Sequence, residues 1–285
     1  MSTVYLNGNY LPMSEARISP MDRGFLFGDG IYEVVPSYAG ALVGFAAHLS
    51  RMQDGLDAIG IPLHIDPVEW REIATQLIER NGGGNLGLYF HVSRGADTKR
   101  HHAYPPGIAP TVFAFAYEIP PAPVADKAVV KPYKVVTAED LRWHRCNIKS
   151  TSLLGNVMHY QQGHVDGQDE TILYNSQGEL TEAAACNVFV VKNGVVATPL
   201  LDAQKLPGIT RYMLLAILRS DGSIPVEERV VTLDELRAAD EVWLSSSSKD
   251  IVPVIAIDGQ PVGDGTIGDV WLAAQTLYSA HKSEF

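Results

Sequence analysis

Cysteine is almost absent from this chain. Cys146 and Cys186 are the only two, and neither sits at a spacing that suggests a metal site or a disulfide framework. They read as buried free thiols of a reducing compartment. No apolar run approaches the roughly 18 residues that a membrane span requires. The opening stretch Met1-Ser2-Thr3-Val4-Tyr5-Leu6-Asn7-Gly8 has no basic segment leading into an apolar core, so it does not read as a secretory signal. Positive charge is also short: 22 Lys and Arg against 33 Asp and Glu leave a net charge of −11, which argues against the basic face of a nucleic-acid binder. Internal repeats and low-complexity segments are missing. The expectation is a soluble, cytoplasmic protein with no metal and with neither nucleic acid nor membrane as a partner.

The rest of the composition is that of a globular enzyme. Hydrophobic residues make up 46% and charged residues 19%, which excludes a largely disordered chain. A length of 285 residues leaves room for two domains. The one proline-dense stretch, Pro120-Pro121-Ala122-Pro123, follows a strand-like segment and reads as a linker. The expected organisation is an α/β (α+β) chain with a small domain over 1–118, a linker over 119–130 and a larger domain over 131–285.

Asn7-Gly8, Asn193-Gly194 and Asp258-Gly259 lie between strand-like segments and predict tight hairpins that need positive φ. Further strands are expected at 31–38, 86–93, 111–117, 170–174 and 241–245. Phe45, Leu49, Met52, Leu56 and Ile59 repeat at helical spacing and form one apolar stripe. Helices are also expected over 70–80, stopped by Asn81-Gly82-Gly83-Gly84, and over 153–162, 209–219 and 266–282.

Lys149 is the residue with the most chemical promise. No other fully charged side chain lies between Arg145 and Asp166. A lysine in apolar and small polar company loses hydration, which favours the neutral, nucleophilic amine. A lysine with its stem buried and its tip in water is the alternative. Glu182, just before an apolar strand, reads either as an exposed turn carboxylate or as one facing a heteroaromatic nitrogen. Lysine and carboxylate together are what a pyridoxal phosphate enzyme requires. Its phosphate would suit the helix entry Pro207-Gly208-Ile209-Thr210, where free N–H groups and a hydroxyl converge. Ser246 and Ser247 of the run Ser245-Ser246-Ser247-Ser248 are further candidate donors, as is Arg51, which shares a helix with His48. Lys99-Arg100-His101-His102 is the densest cationic cluster of an acidic chain, where Arg100 and His102 could take a carboxylate. Tyr32 follows the turn Gly28-Asp29-Gly30, whose spacing fits no dinucleotide or phosphate-loop motif.

The order of these stretches says more than any one of them. Gly24-Phe25-Leu26-Phe27-Gly28-Asp29-Gly30-Ile31-Tyr32-Glu33, His48-Leu49-Ser50-Arg51, Arg100-His101-His102, Asn147-Ile148-Lys149-Ser150, Thr181-Glu182 with Asn187-Val188-Phe189, and Pro207-Gly208-Ile209-Thr210-Arg211 form a series. From Val4 to about Gly268 the chain resembles the fold type IV pyridoxal phosphate enzymes, the class IV aminotransferases, and within them the D-amino acid branch most. The resemblance implies a two-domain fold and a Schiff base between Lys149 and pyridoxal 5′-phosphate. Lys149 would move the Cα proton and Glu182 would hold the pyridine nitrogen. Arg51, Gly208, Ile209, Thr210, Ser246 and Ser247 would form the phosphate cup. Tyr32, Arg100 and His102 would trap the substrate α-carboxylate, the last two reaching in from the other subunit of a homodimer.

The implied reaction is a ping-pong transfer from a D-amino acid, D-alanine first, to a 2-oxo acid such as 2-oxoglutarate. A branched-chain L-amino acid aminotransferase, an (R)-amine transaminase and a 4-amino-4-deoxychorismate lyase share the fold and stay open as alternatives. A cofactor-binding protein without turnover is the alternative of another class. The chain also departs from the pattern. Ala183-Ala184-Ala185-Cys186 stands where family members often carry glycine and serines, and Pro36 where the D-branch carries a long polar side chain. Lys99 and His101 add positive charge around the carboxylate trap.

Overall fold

The structure, a computed structural model, describes residues 2–285. The chain forms two compact units. One contains the chain up to Ala122 together with Ile148–Leu153 and Phe285; the other contains Pro123–Asn147 and Leu154–Glu284.

The first unit is built on an all-antiparallel sheet of six strands: β1 (Thr3–Leu6), β2 (Asn9–Pro12), β3 (Gly30–Tyr38), β4 (Ala41–Leu42), β5 (Asn85–Ser93) and β6 (Thr111–Glu118), in the order β2-β1-β6-β5-β3-β4. Alternate side chains of a strand face opposite sides, and here the two sides differ. Ile31 and Val35 of β3, Leu88, Phe90 and Val92 of β5 and Ala114 of β6 are buried in one core. The helices α2 (Phe45–Ala58) and α3 (Pro67–Arg80) cover it with Phe45, Leu49, Met52, Leu56, Trp70, Ile73 and Leu77. Full burial of one such side chain contributes about 1.5–3 kcal/mol. The other side carries Tyr32, Tyr89, His91, Phe113, Phe115 and Tyr117, an aromatic surface whose rings follow one another at 5.0–6.0 Å. α3 starts three residues earlier than its apolar periodicity suggests, because Asp66 accepts from Val68 N at 2.8 Å and Pro67 opens the first turn.

The second unit holds a mixed sheet of nine strands. These are β7 (Tyr133–Glu139), β8 (Glu170–Tyr174), β9 (Leu180–Ala183), β10 (Asn187–Lys192), β11 (Val195–Pro199), β12 (Val226–Arg229), β13 (Glu241–Ser246), β14 (Asp250–Ile257) and β15 (Gln260–Pro261). Their order is β12-β11-β10-β13-β14-β7-β8-β9, with β15 on β14. Parallel neighbours need a crossover. Helix α4 (Leu154–Val165) joins the parallel pair β7 and β8, and α5 (Ile209–Asp221) joins β11 and β12. The short helices α1 (Arg23–Phe27) and α6 (Leu233–Arg237) and the terminal α7 (Asp269–His281) complete the list.

All three expected hairpins form, with φ of 48° and 89° at Asn7 and Gly8, 51° and 77° at Asn193 and Gly194, and 51° and 76° at Asp258 and Gly259. One assignment is corrected. The stretch around Lys149 was expected in the larger domain over 131–285, yet Ile148–Leu153 belongs to the first unit. Its backbone is stitched to β3: Tyr32 N donates to the Lys149 carbonyl at 3.1 Å, Thr151 N to Gly30 O at 2.9 Å, and Ile31 bridges Ser150.

Candidate active site

Lys149 is half-buried on that stretch. Its Nζ donates to Tyr32 Oη at 3.2 Å and lies 4.3 Å from the centroid of the same ring. The turn before β3 permits the approach. Gly28 closes α1 in the left-handed region at φ 65°, and a Cβ there would strike Ser152. Ser152 Oγ in turn donates to Gly28 O at 3.0 Å. Lysine and tyrosine, far apart in the chain, are thus held as a pair by backbone bonds on either side of them.

Glu33 follows Tyr32 and so points to the opposite side of the sheet, into the core. It is fully buried and takes three hydrogen bonds from α2: Arg51 Nε to Oε1 at 2.7 Å, Arg51 Nη2 to Oε2 at 2.8 Å, and His48 Nδ1 to Oε2 at 2.6 Å. Burial pushes the Glu33 carboxyl up, but the Arg51 and His48 charges and bonds outweigh it and hold the group well below the usual carboxylate range. Burial lowers the His48 imidazole, with the Glu33 charge and hydrogen bond opposing, and its Nδ1 donates to Glu33. The bidentate bond fixes the plane of the Arg51 guanidinium.

In the second unit Glu182 is buried and its carboxylate accepts three hydrogen bonds. Arg142 Nη1 donates to Oε1 at 2.7 Å; Asn187 Nδ2 and Leu206 N donate to Oε2 at 3.2 and 3.0 Å. Burial raises its pKa, while Arg142 and the Leu206 N–H oppose the rise. Arg142 is itself held by Asp140, at 3.0 Å from Nε and 2.8 Å from Nη2, and Thr181 Oγ1 donates to Asp140 Oδ2 at 2.7 Å. A fixed, desolvated carboxylate of this kind can keep a proton on a basic ring nitrogen.

Asn187 also donates to Leu206 O at 2.9 Å, which ties the start of β10 to the loop entering α5. Gly208 caps α5 with no side-chain bond, so the first N–H groups at Ile209 and Thr210 point outward without a capping acceptor. A Cβ at Gly208 would collide with Asn187 Oδ1. The Gly208→Ala variant is therefore expected to lose about 1–3 kcal/mol in urea denaturation, as Asn187 is pushed off Glu182; unchanged stability would show that Asn187 has room to move. At the end of β13, Ser245 Oγ is buried without a partner among the described residues, and Ser246 Oγ lies beside the Cys186 thiol. In the second unit the uncapped helix start and the buried Ser245 hydroxyl suit a phosphate and the Glu182 carboxylate suits a ring nitrogen; in the first, the Lys149 amine suits an aldehyde.

Arg100 and His102 are exposed. Their side chains rest on the Phe27 ring of α1, Arg100 Cζ 5.0 Å and the His102 ring 5.4 Å from its centroid, and neither bonds to Tyr32 or Lys149 of its own chain. Arg23 anchors their loop by donating to the carbonyls of His101 and His102 and to Asp29 Oδ2. Arg94 holds the other face of Asp29 at 2.8 and 3.0 Å. Sequence reasoning missed Glu33, Arg142, Asn187, Arg23 and Arg94. The buried arginines had one visible signal, apolar or small neighbours around a cation, but Glu182 and Asp29, the carboxylates that Arg142 and Arg94 hold, are remote from them in the chain.

Residues 30–257 match the family described as "Amino-transferase class IV". The chain is 35% identical over 278 residues to the D-alanine aminotransferase of Staphylococcus aureus (strain MW2), covering 95% of this chain and 94% of that protein. It is 37% identical over 273 residues to the D-alanine aminotransferase of Bacillus licheniformis, covering 96% and 94%. Its fold is similar to that of the branched-chain aminotransferase from the thermophilic archaeon Thermoproteus uzoniensis with norvaline, with a TM-score of 0.88 over 99% of this chain and 95% of that one. At 23% identity that likeness speaks for the fold alone.

Proposed function

This chain belongs to the class IV aminotransferases, and from that premise we propose that it moves the amino group of a D-amino acid, D-alanine foremost, to a 2-oxo acid such as 2-oxoglutarate, with pyridoxal 5′-phosphate as cofactor. The observation that carries the reading is the Lys149 amine held at 3.2 Å by Tyr32, in a chain 35–37% identical to two D-alanine aminotransferases over almost its full length.

The bound cofactor supplies an electron-accepting ring next to the carbon that exchanges its proton. The protein supplies the rest. Lys149 would hold the group and would carry the proton at the substrate Cα. Glu182 keeps a proton at the ring nitrogen, and Arg142 and Asn187 keep Glu182 in place. Arg51, Gly208, Ile209, Thr210, Ser246 and Ser247 hold the phosphate, with Glu33 fixing the Arg51 guanidinium. Tyr32, Arg100 and His102 bind the α-carboxylate. Arg100 and His102 do so from a second copy of the chain, so the working unit is a homodimer; their exposure on a braced loop supports this. Two buried free thiols suit a cytoplasmic setting. Among the described residues no helix is long and apolar enough to cross a membrane.

A panel of D- and L-amino acids, read from the cofactor's absorbance, tests the assignment. D-alanine is expected to convert the cofactor and yield pyruvate, with turnover sustained only when a 2-oxo acid acceptor is present. Activity on L-leucine above that on D-alanine would overturn the choice of branch. The Arg100→Ala variant is expected to raise KM for D-alanine by about 10- to 100-fold, the loss of one charge-assisted hydrogen bond of about 1.5–3 kcal/mol, with cofactor content unchanged. Loss of cofactor instead would mean that Arg100 has another role.

A further inference from the structure

Nothing in the reaction as described uses His91, yet it lies directly opposite Tyr32. The two are register partners in the β3–β5 ladder, and so share the aromatic side of the sheet. Tyr89, two residues before His91 and on the same side, stacks on Tyr32 with centroids 5.6 Å apart and planes at 24°. Its own hydroxyl lies 3.1 Å from His91 Nδ1. Phe115 packs against the Tyr89 ring at 5.0 Å. The His91 imidazole is backed by α1, where a Cβ at Gly24 would sit 3.4 Å from Nε2, at van der Waals contact.

We propose that His91 is a positioning residue for amino transfer: by holding the Tyr89 hydroxyl it fixes the ring stacked on Tyr32, and so fixes the Tyr32 hydroxyl beside the Lys149 amine. Burial lowers the His91 imidazole, with Asp22 opposing, and pushes the Tyr89 phenol up to about 12, with Tyr32 adding to the rise. Tyr89 Oη and His91 Nδ1 therefore share one hydrogen bond between uncharged groups at neutral pH, its direction set by the imidazole tautomer. Tyr89 cannot slide along the Tyr32 face without breaking that bond or leaving Phe115. A tyrosine held only by its lysine would share the lysine's freedom. Here the tyrosine is braced first, and the amine is aimed by it.

The role rests on the assignment of Tyr32 and Lys149 to the reaction, so its test has an arm that needs no turnover. His91→Phe keeps a ring and removes the hydrogen-bond partner; Tyr89→Phe removes one oxygen; His91→Gln returns a partner that can donate or accept. With D-alanine, the Phe variants are each expected to lower kcat about three- to tenfold, the effect of about 0.7–1.4 kcal/mol, with KM within twofold. The double variant is expected to be no worse than the worse single, and His91→Gln to come within twofold of the parent. In the second arm, 3-fluorotyrosine is placed at position 32 of the full chain, with and without cofactor. Its 19F resonance is expected to shift or broaden in His91→Phe and Tyr89→Phe and to return in His91→Gln. An unmoved resonance, additive losses, or a Gln variant as impaired as the Phe variant would overturn the proposal. Parent protein inert toward D-alanine would instead overturn the function, and the 19F arm would still decide whether His91 positions Tyr32.

Discussion

Replacing Lys149 with alanine is expected to lower D-alanine transamination by at least about 10⁴-fold while leaving the fold intact. The size follows from what is removed. Positioned proton transfer alone contributes about 10²–10⁴-fold, and a tethered amine also gains the effective concentration of an intramolecular group, about 10⁵ M or more in well-oriented cases. The structural cost is small by comparison. Lys149 is bound through its backbone carbonyl to Tyr32 N, which alanine retains, and the side-chain hydrogen bond to Tyr32 Oη contributes about 0.5–1.5 kcal/mol. Circular dichroism and urea denaturation should thus match the parent while activity vanishes. Borohydride should reduce a cofactor adduct onto the Lys149 peptide of the parent and leave none in the variant. Turnover within tenfold of the parent would sink the assignment of the proton carrier.

The elements that could be read in the chain are those whose cause is local. Asn7-Gly8, Asn193-Gly194 and Asp258-Gly259 turn because adjacent residues tolerate positive φ, and each does so here. The stripe from Phe45 to Leu56 is buried as its spacing required. The strand before Asp258-Gly259, β14, runs through Pro253, a residue that disfavours an inner strand. It is accommodated because β7 pairs with β14 only from Val254 onward, which leaves Pro253 without a β7 partner. The candidate site divides in the same way. Lys149 and Glu182 stood out by their surroundings and order along the chain. The residues that hold them in place did not, because the pairings Tyr32–Lys149, Arg142–Glu182 and Asp29–Arg94 span long stretches of sequence. Glu33 was hidden for a simpler reason. It is one residue from Tyr32 and serves the opposite side of the same strand, where sequence alone assigns neither side.

That position should show the largest effect on stability. Glu33→Ala is expected to cost about 3–5 kcal/mol at pH 7, the cost of leaving a buried charge without its partner. The carboxylate is fully buried and is the shared acceptor of Arg51 and His48, and Arg51 itself is only 8% exposed. Glu33→Gln, which keeps an acceptor and removes the charge, should fall between. The loss should also depend on pH in a defined direction. Burial raises the Glu33 carboxyl but Arg51 and His48 lower it further, so its folded value lies below the ordinary 4.5. Above 4.5 both folded and unfolded chains carry the charge, and the stabilisation is fully present. Below 4.5 the unfolded chain takes up a proton that the folded one refuses, so the parent loses this stabilisation steadily as pH falls toward the folded value. The variant has no such group and lacks that decline. The gap between parent and Glu33→Ala is therefore expected to be widest near pH 7 and to narrow from about pH 4.5 downward, as read from urea denaturation at each pH. A gap that stays constant down to about pH 3 would mean that the carboxylate is not what holds Arg51 and His48 in the core.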